Sequence, residues 1–305
     1  MENHGLVLVR FNDMPDCHII NLSGDNAHAE EDAARIVESF DGLMGNPLQS
    51  LFMIFDAMVP NITTLMDNIY FRSGDAVHYM GVNAGSETFQ PVPCLFNSDI
   101  FVGNAVLAML MQNHPGAVLE HGYQEPDSSI SATSTTGNRI NTIDWRPAFD
   151  VYRELARECY GLEVTPENFY ESAVHFPLGI MRMDGEILVR IPVALESDGS
   201  IFCVGEVPEH AVLTLLKAFS PDSRKTLEIL MQHADQKRKP GMLLFYCAGR
   251  RMHMGAAALE ELTYLQQMHS GQTNFGALSL GEIGGSRQAG YPLFHNAALV
   301  NIPWD

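Results

Sequence analysis

The sequence predicts an α/β protein: two related halves of mixed β-sheet flanked by helices, 1–160 and 161–305. Three observations carry this. Two continuously apolar runs, Leu51–Phe55 and Met242–Cys247, have the length and the lack of alternation of strands buried on both faces. Each is followed by a helical segment, Asn61–Tyr70 and Ala256–Met268, and then by a strand rich in small residues, Gly81–Ser86 and Gly276–Gly281. The same order of elements therefore occurs twice, and strands alternating with helices build layered sheets.

In chain order, Leu6–Phe11 is an apolar run read as a first strand. Cys17–Leu22 is a second, closing on the turn Ser23-Gly24-Asp25. Asp25–Phe40 is a helix, because Ala33, Ile36, Val37 and Phe40 share a face and acids fill the first turn, where the helix dipole favours them. In the next helix, Ile62, Leu65, Met66 and Ile69 share a face. Val102–Met111, apolar except for Asn104, belongs at a sheet centre. Gln124–Asn138, rich in Ser, Thr and Gly, reads as loop with an extended segment Ile130–Thr135.

Pro147–Cys159 is a helix with Pro in its first turn and Gly161 as its stop, and Thr165–Ser172 a short capped one. Two Asp-Gly turns, Asp184-Gly185 and Asp198-Gly199, are flanked by apolar runs and mark antiparallel hairpins around the strands Ile187–Val193 and Ile201–Val204. Val212–Phe219 is a further strand and Pro221–Lys237 a further helix. The chain closes on Gly281-Glu282-Ile283, a polar glycine turn Gly284-Gly285-Ser286-Arg287, then Phe294-His295-Asn296 and the apolar run Ala297–Ile302.

Composition narrows the function classes. With 18 basic against 37 acidic residues the net charge is −19, which repels phosphate backbones and anionic lipid, so neither nucleic acid nor a membrane surface is an expected partner. No apolar run reaches the roughly 18 residues of a membrane span, and the opening residues do not have the pattern of a signal peptide. Five scattered cysteines without a C-x-x-C fit buried thiols in a reducing cytoplasm better than a disulfide or zinc framework. The dinucleotide and P-loop glycine motifs, the Gly-x-Ser-x-Gly elbow and His-Glu-x-x-His are all absent.

What remains are modest constellations. Glu120-His121-Gly122-Tyr123 places an imidazole at a strand end before a polar loop, where it contacts either a ligand or the loop backbone. In Cys247-Ala248-Gly249-Arg250 a thiol and a guanidinium end a buried strand. A nearby cation activates a thiol, but alternation turns this one toward the core. Arg250 suits a carboxylate, either that of Glu282 or that of an anionic ligand. Arg251-Met252-His253-Met254 offers one imidazole and two thioethers, a haem- or copper-like set, against a background of 16 methionines.

Taken in order, Glu120-His121-Gly122-Tyr123, Trp145-Arg146-Pro147-Ala148 followed by Tyr152, Cys247-Ala248-Gly249-Arg250, and Gly281-Glu282-Ile283 followed by Asn296 resemble the FIST sensory-domain proteins. Gly81-Val82-Asn83-Ala84-Gly85-Ser86 resembles the small-residue segment of that family's first α/β unit. The resemblance spans nearly the whole chain, as a FIST N-type region over 1–160 and a FIST C-type region over 161–305. It also implies an earlier strand–helix unit that this sequence does not show before Leu6, so the expectation is either a truncated start or a shortened member of the family.

The resemblance implies a non-enzymatic, cytoplasmic input module of bacterial signalling that binds a small ligand such as an amino acid. Its expected partner is a separate histidine kinase or a diguanylate cyclase or phosphodiesterase. The ligand-binding residues it points to are Glu282, Arg250, Asn296, His121, Asn83 and Ser86. Two alternatives stand beside it. One is a haem-based nitric-oxide sensor with His121 as axial ligand; the other is an enzyme using Cys247 as nucleophile.

Overall fold

The computed structural model describes residues 6–40, 42–45, 48–86, 88, 90–124, 129–217, 224–235, 241–269, 273–285 and 290–304. The first half contains β1 (Asp16–Asn21), α1 (Ala29–Glu38), β2 (Ser50–Asp56), α2 (Ile62–Ser73), β3 (His78–Ala84), a small pair β4 (Leu95–Phe96) and β5 (Phe101–Val102), and β6 (Ala105–Met111). Then follow β7 (Val118–Glu120), β8 (Ile130–Thr136), β9 (Arg139–Ile143), β10 (Arg146–Pro147), α3 (Ala148–Tyr160) and α4 (Phe169–Ala173). The next strands are β11 (Leu178–Met181), β12 (Ile187–Arg190), β13 (Pro192–Leu195), β14 (Ile201–Cys203) and β15 (Val212–Leu215). The chain ends with α5 (Arg224–Asp235), β16 (Gly241–Cys247), α6 (Ala248–Met254), α7 (Ala257–Met268), β17 (Thr273–Ser279), β18 (Glu282–Gly285), β19 (Pro292–His295) and β20 (Leu299–Trp304).

The repeat read from the sequence is a repeat of topology. One sheet runs β1-β6-β2-β3 and continues into β18-β19; a second runs β7-β20-β16-β17. In each, a central strand (β2 or β16) has a parallel neighbour (β3 or β17) and an antiparallel one (β6 or β20). The two sheets lie face to face: Phe52, Met80 and Met109 of the first pack with Leu243, Val300 and Ile302 of the second, and the Phe52 and Phe245 rings are 6.2 Å apart. On the first sheet's other face, Leu51, Met53 and Phe55 pack with Ile36 of α1 and Leu65, Met66 and Ile69 of α2. On the second sheet's outer face, Met242, Leu244 and Tyr246 pack with Leu227 and Leu230 of α5 and Leu265 of α7. Continuous apolar strands are what a sheet covered on both faces requires.

The third sheet, eight-stranded, runs β12-β11-β15-β8-β9-β14-β13 with β10 on β9. Its two ends, β12 and β13, are separated in the chain by Ile191 alone, so the sheet curls nearly closed. Phe149, Tyr152 and Ala156 of α3 fill its core with Ile140, Leu178 and Leu213. Gly161 stops α3 as expected: it takes a left-handed φ of 66°, donates to the Arg157 carbonyl, and the Leu162 N–H reaches back to Ala156.

Several expectations are corrected. Leu6–Phe11 joins no sheet; Leu6 and Leu8 are 81% and 84% exposed, and Phe11 rests on Trp304 with rings 5.6 Å apart. An apolar run becomes a strand only where an edge accepts it. Ile187–Val193 is two strands, because Pro192 has no N–H to continue the ladder. Ile130–Thr136 is a full strand paired with β9 and β15 rather than part of a loop. The residues Ala248–Met254 form α6, a helix that the sequence reading leaves out. Ser286 and Arg287 of the glycine turn, and Pro221 and Lys237 at the expected ends of α5, lie outside the described residues.

Candidate functional site

A cleft of about 200 Å³ opens where the three sheets meet. β7 and the residues after it supply Leu119, His121 and Tyr123; the β11–β12 turn supplies Gly185, Glu186 and Ile187; the β18–β19 hairpin supplies Gly284, Gly285, Leu293 and His295. Each group arrives by a local device. Gly122 takes φ 79°, a left-handed conformation that turns the chain sharply after β7. Gly185, at φ 82°, closes the β11–β12 turn, and the Asp184 carboxylate accepts the Glu186 N–H at 3.1 Å. At Gly284 a side chain would press against Leu119, so glycine there lets the hairpin approach β7.

The polar groups of the cleft are imidazoles and one carboxylate. The His121 and His295 rings stack, centroids 6.1 Å apart at 28°. His121 Nδ1 accepts the Tyr123 N–H at 3.1 Å, which orients the ring. The Tyr123 hydroxyl donates to the Val174 carbonyl at 3.2 Å, and burial pushes its phenol well above the ordinary range.

Behind the cleft is a buried polar seam. Glu282, fully buried, belongs to β18 of the six-stranded sheet but reaches across to the four-stranded one. Ser279, at the end of β17, donates its hydroxyl to Glu282 Oε1 at 2.6 Å, and the Ala298 N–H points at Oε2 at 3.3 Å. Burial raises the Glu282 carboxyl to about 7, against the hydrogen bonds of Ser279, Cys247 and Ala298 that lower it. The Asn83 N–H donates to the Gly281 carbonyl at 2.9 Å, while its buried side-chain amide has no hydrogen-bond partner among the described residues. Asn296 Oδ1 accepts the Ile191 N–H at 3.3 Å.

Of the six residues expected to bind ligand, His121 lines the cleft, and Glu282, Asn83 and Asn296 form this seam. Ser86 sits apart on the exit from β3, its hydroxyl 2.7 Å from that of Thr88. Arg250 corrects one expectation, since the carboxylate it pairs with is that of Glu261 and not that of Glu282. Fully buried on α6, it donates to both oxygens of Glu261, from Nη2 at 2.5 Å and from Nε at 3.1 Å, and from Nη1 to the His121 carbonyl at 2.7 Å. Tyr246 donates to the same Glu261 carboxylate. Arg250 thus holds the backbone of His121, whose side chain lines the cleft. Cys247 is buried, accepts the Ala297 N–H at 3.1 Å, and has its thiol pushed far up by burial and then by Glu282, the reverse of an activated nucleophile.

Sequence reasoning missed Glu186 and Glu261. Asp184-Gly185 marks a hairpin but not the cleft it faces, and Glu261 follows Glu260 in a helix where both read as surface acids.

Family models for the FIST N domain and the FIST C domain match residues 2–146 and 148–285. The chain belongs to the FIST family. FIST domains are sensory domains of signal-transduction proteins, so this chain is a sensory domain protein. No match is found among curated proteins. Among the described residues no helix is long and apolar enough to cross a membrane, and no three His, Cys, Asp or Glu gather as metal ligands. The cleft does not fit a haem on His121: pockets for drug-sized ligands run to about 300–1,000 Å³, and here His295 stacks against the ring in a space of about 200 Å³.

Proposed function

We propose that this FIST protein is the input module of a bacterial signalling system and seats a small polar metabolite, an amino acid among the candidates, in the cleft at the junction of the three sheets. The observation that carries the reading is the origin of the cleft: each of its three walls comes from a different sheet. A ligand there touches all three at once, and a ligand changes a protein's state only by favouring one arrangement of its parts over another. Glu186 offers a carboxylate to a ligand amine, and His121 and His295 offer imidazoles to a ligand oxygen. Glu282, Asn83 and Asn296 support the cleft from behind, and Arg250 fixes the backbone of His121.

The response passes to a partner, a histidine kinase or a cyclic-dinucleotide enzyme; family membership supports this class of partner. The test is a thermal-shift screen of amino acids and small metabolites, followed by titration calorimetry on His295→Ala and Glu186→Gln. A compound that raises Tm in the unmodified protein and loses affinity in both variants supports the cleft. Absence of stabilisation by every compound at saturating concentration contradicts it.

A further inference from the structure

We propose that β17 is a docking edge for a second copy of this chain: the two β17 strands pair antiparallel about a two-fold axis at Ala277 and join two four-stranded sheets into one. β17 is the outermost strand of its sheet and runs in unbroken register with β16 from Thr273 to Ser279. Among the described residues no strand pairs with its other side. Successive side chains of a strand point to opposite faces, yet Ala277 and Leu278 are both exposed, Leu278 to 50%. Solvent therefore reaches this edge from both faces. Such an edge presents backbone N–H and C=O groups that another strand can take up.

The first half shows what this edge accepts. Gly81 and Val82 of β3 hold the positions of Gly276 and Ala277, and they pair antiparallel with Ile283 and Glu282 of β18. The other end strands of the two face-to-face sheets carry the guards that keep strand edges from pairing. β1 opens on Pro15-Asp16, β19 is four residues starting at Pro292, and β7 has only three residues. β17 has seven residues and neither a proline nor a charge.

Charge and shape name the occupant. At a net charge of −19 two copies repel each other over most of their surface, and an uncharged strand is where they can meet. A two-fold axis puts the same strand on both sides of the contact, and directly opposed residues of an antiparallel pair lie on one face. With Ala277 against its own copy, Leu278 of each chain lies opposite Gly276 of the other. The exposed leucine then covers the place where glycine leaves no side chain. β17 and the cleft-lining β7 are opposite ends of one sheet, so this surface is separate from the cleft and its test needs no ligand.

The experiment is sedimentation velocity of the full chain from low to high concentration, under reducing conditions so that the exposed Cys17 and Cys159 form no cross-links. The expected result is a reversible monomer–dimer equilibrium that Ala277→Glu and Leu278→Glu each weaken about tenfold or more, since charge on the edge opposes pairing. Both positions are exposed, and circular dichroism shows which variant is folded; either one suffices. Phe71→Glu adds the same charge on α2, where Phe71 is 77% exposed, and should leave the equilibrium unchanged. A chain that is monomeric at every concentration overturns the proposal and leaves the edge to a strand of a different protein. A dimer undisturbed by Ala277→Glu and Leu278→Glu overturns it too, because the copies then meet through another face. Equal weakening by Phe71→Glu would contradict it as well, since overall repulsion and not the edge would then set the association.

Discussion

The two face-to-face sheets are copies in backbone and opposites in chemistry. Position for position, Ser50–Asp56 and His78–Ala84 pair as Gly241–Cys247 and Thr273–Ser279 do, and the fourth residue of each second strand is a glycine, Gly81 opposite Met53 and Gly276 opposite Leu244. At both, an added Cβ would collide with the partner's carbonyl oxygen. Yet the sixth residue of the central strand is Phe55 in one and Tyr246 in the other, and the fifth residue of the covering helix is Met66 in one and Glu261 in the other. The first half fills this place with apolar side chains. The second fills it with a buried Arg250–Glu261–Tyr246 cluster that fixes the backbone of His121.

The edges differ as well. β3 is capped by β18–β19, which brings His295 and the Gly284-Gly285 floor to the cleft, whereas no strand among the described residues caps β17. Repetition supplied a stable frame, and departure from it supplied the polar groups at the site.

The largest expected effect tests the polar cluster against its apolar counterpart. Glu261→Ala strands a buried guanidinium and should destabilise the fold by about 3–5 kcal/mol in urea denaturation. The double variant Arg250→Met, Glu261→Met makes the second half resemble the first and should recover most of that loss, since apolar replacement of a buried ion pair is often neutral or stabilising. If the double variant is as unstable as the single one, the cluster is more than a polar version of the Phe55–Met66 contact.

Glu282 gives the next effect, read through pH. Its folded-state carboxyl lies near 7, raised by burial from an ordinary 4.5. The folded chain therefore keeps a proton that the unfolded chain releases. The stability linked to that proton is fully present below the unfolded value and is lost as pH rises through the folded one. Glu282→Gln removes the titration, so the fall in stability from about pH 5 to about pH 8 should shrink by up to roughly 3 kcal/mol. An unchanged pH profile in Glu282→Gln would sink this account of the seam.

Gly81→Ala and Gly276→Ala come next. Both press a methyl group onto a neighbouring strand and should cost similar amounts, about 1–3 kcal/mol each. A neutral Gly276→Ala beside a damaging Gly81→Ala would break the equivalence of the two sheets.

These contrasts also show what the sequence could disclose. The repeated strand–helix–strand units and the small-residue strands were legible, because burial on both faces leaves a local signature in continuous apolar runs and glycine. Where β18 pairs was not: Glu282-Ile283-Gly284-Gly285 carries nothing that says it crosses to β3 instead of staying with β17, because strand partnership is decided by long-range closure. Leu6–Phe11 failed for the same reason in reverse, as an apolar run without an edge. The site was half legible. His121 stood out beside Gly122 at a strand end, but the partner of Arg250 was hidden, since α6 contains a glycine and two arginines and lacks a clear apolar stripe.

The smallest effects on stability should come from the cleft itself. Glu186→Gln should shift unfolding by no more than about 0.5 kcal/mol while weakening ligand binding. The central claim, that one small ligand bridges three sheets, is tested most directly by hydrogen exchange with and without the strongest compound from the thermal-shift screen. The account predicts slower exchange at β7 through Tyr123, at Glu186–Ile187 and along β18–β19 together. Protection confined to one of these segments, or found only elsewhere in the chain, would contradict it.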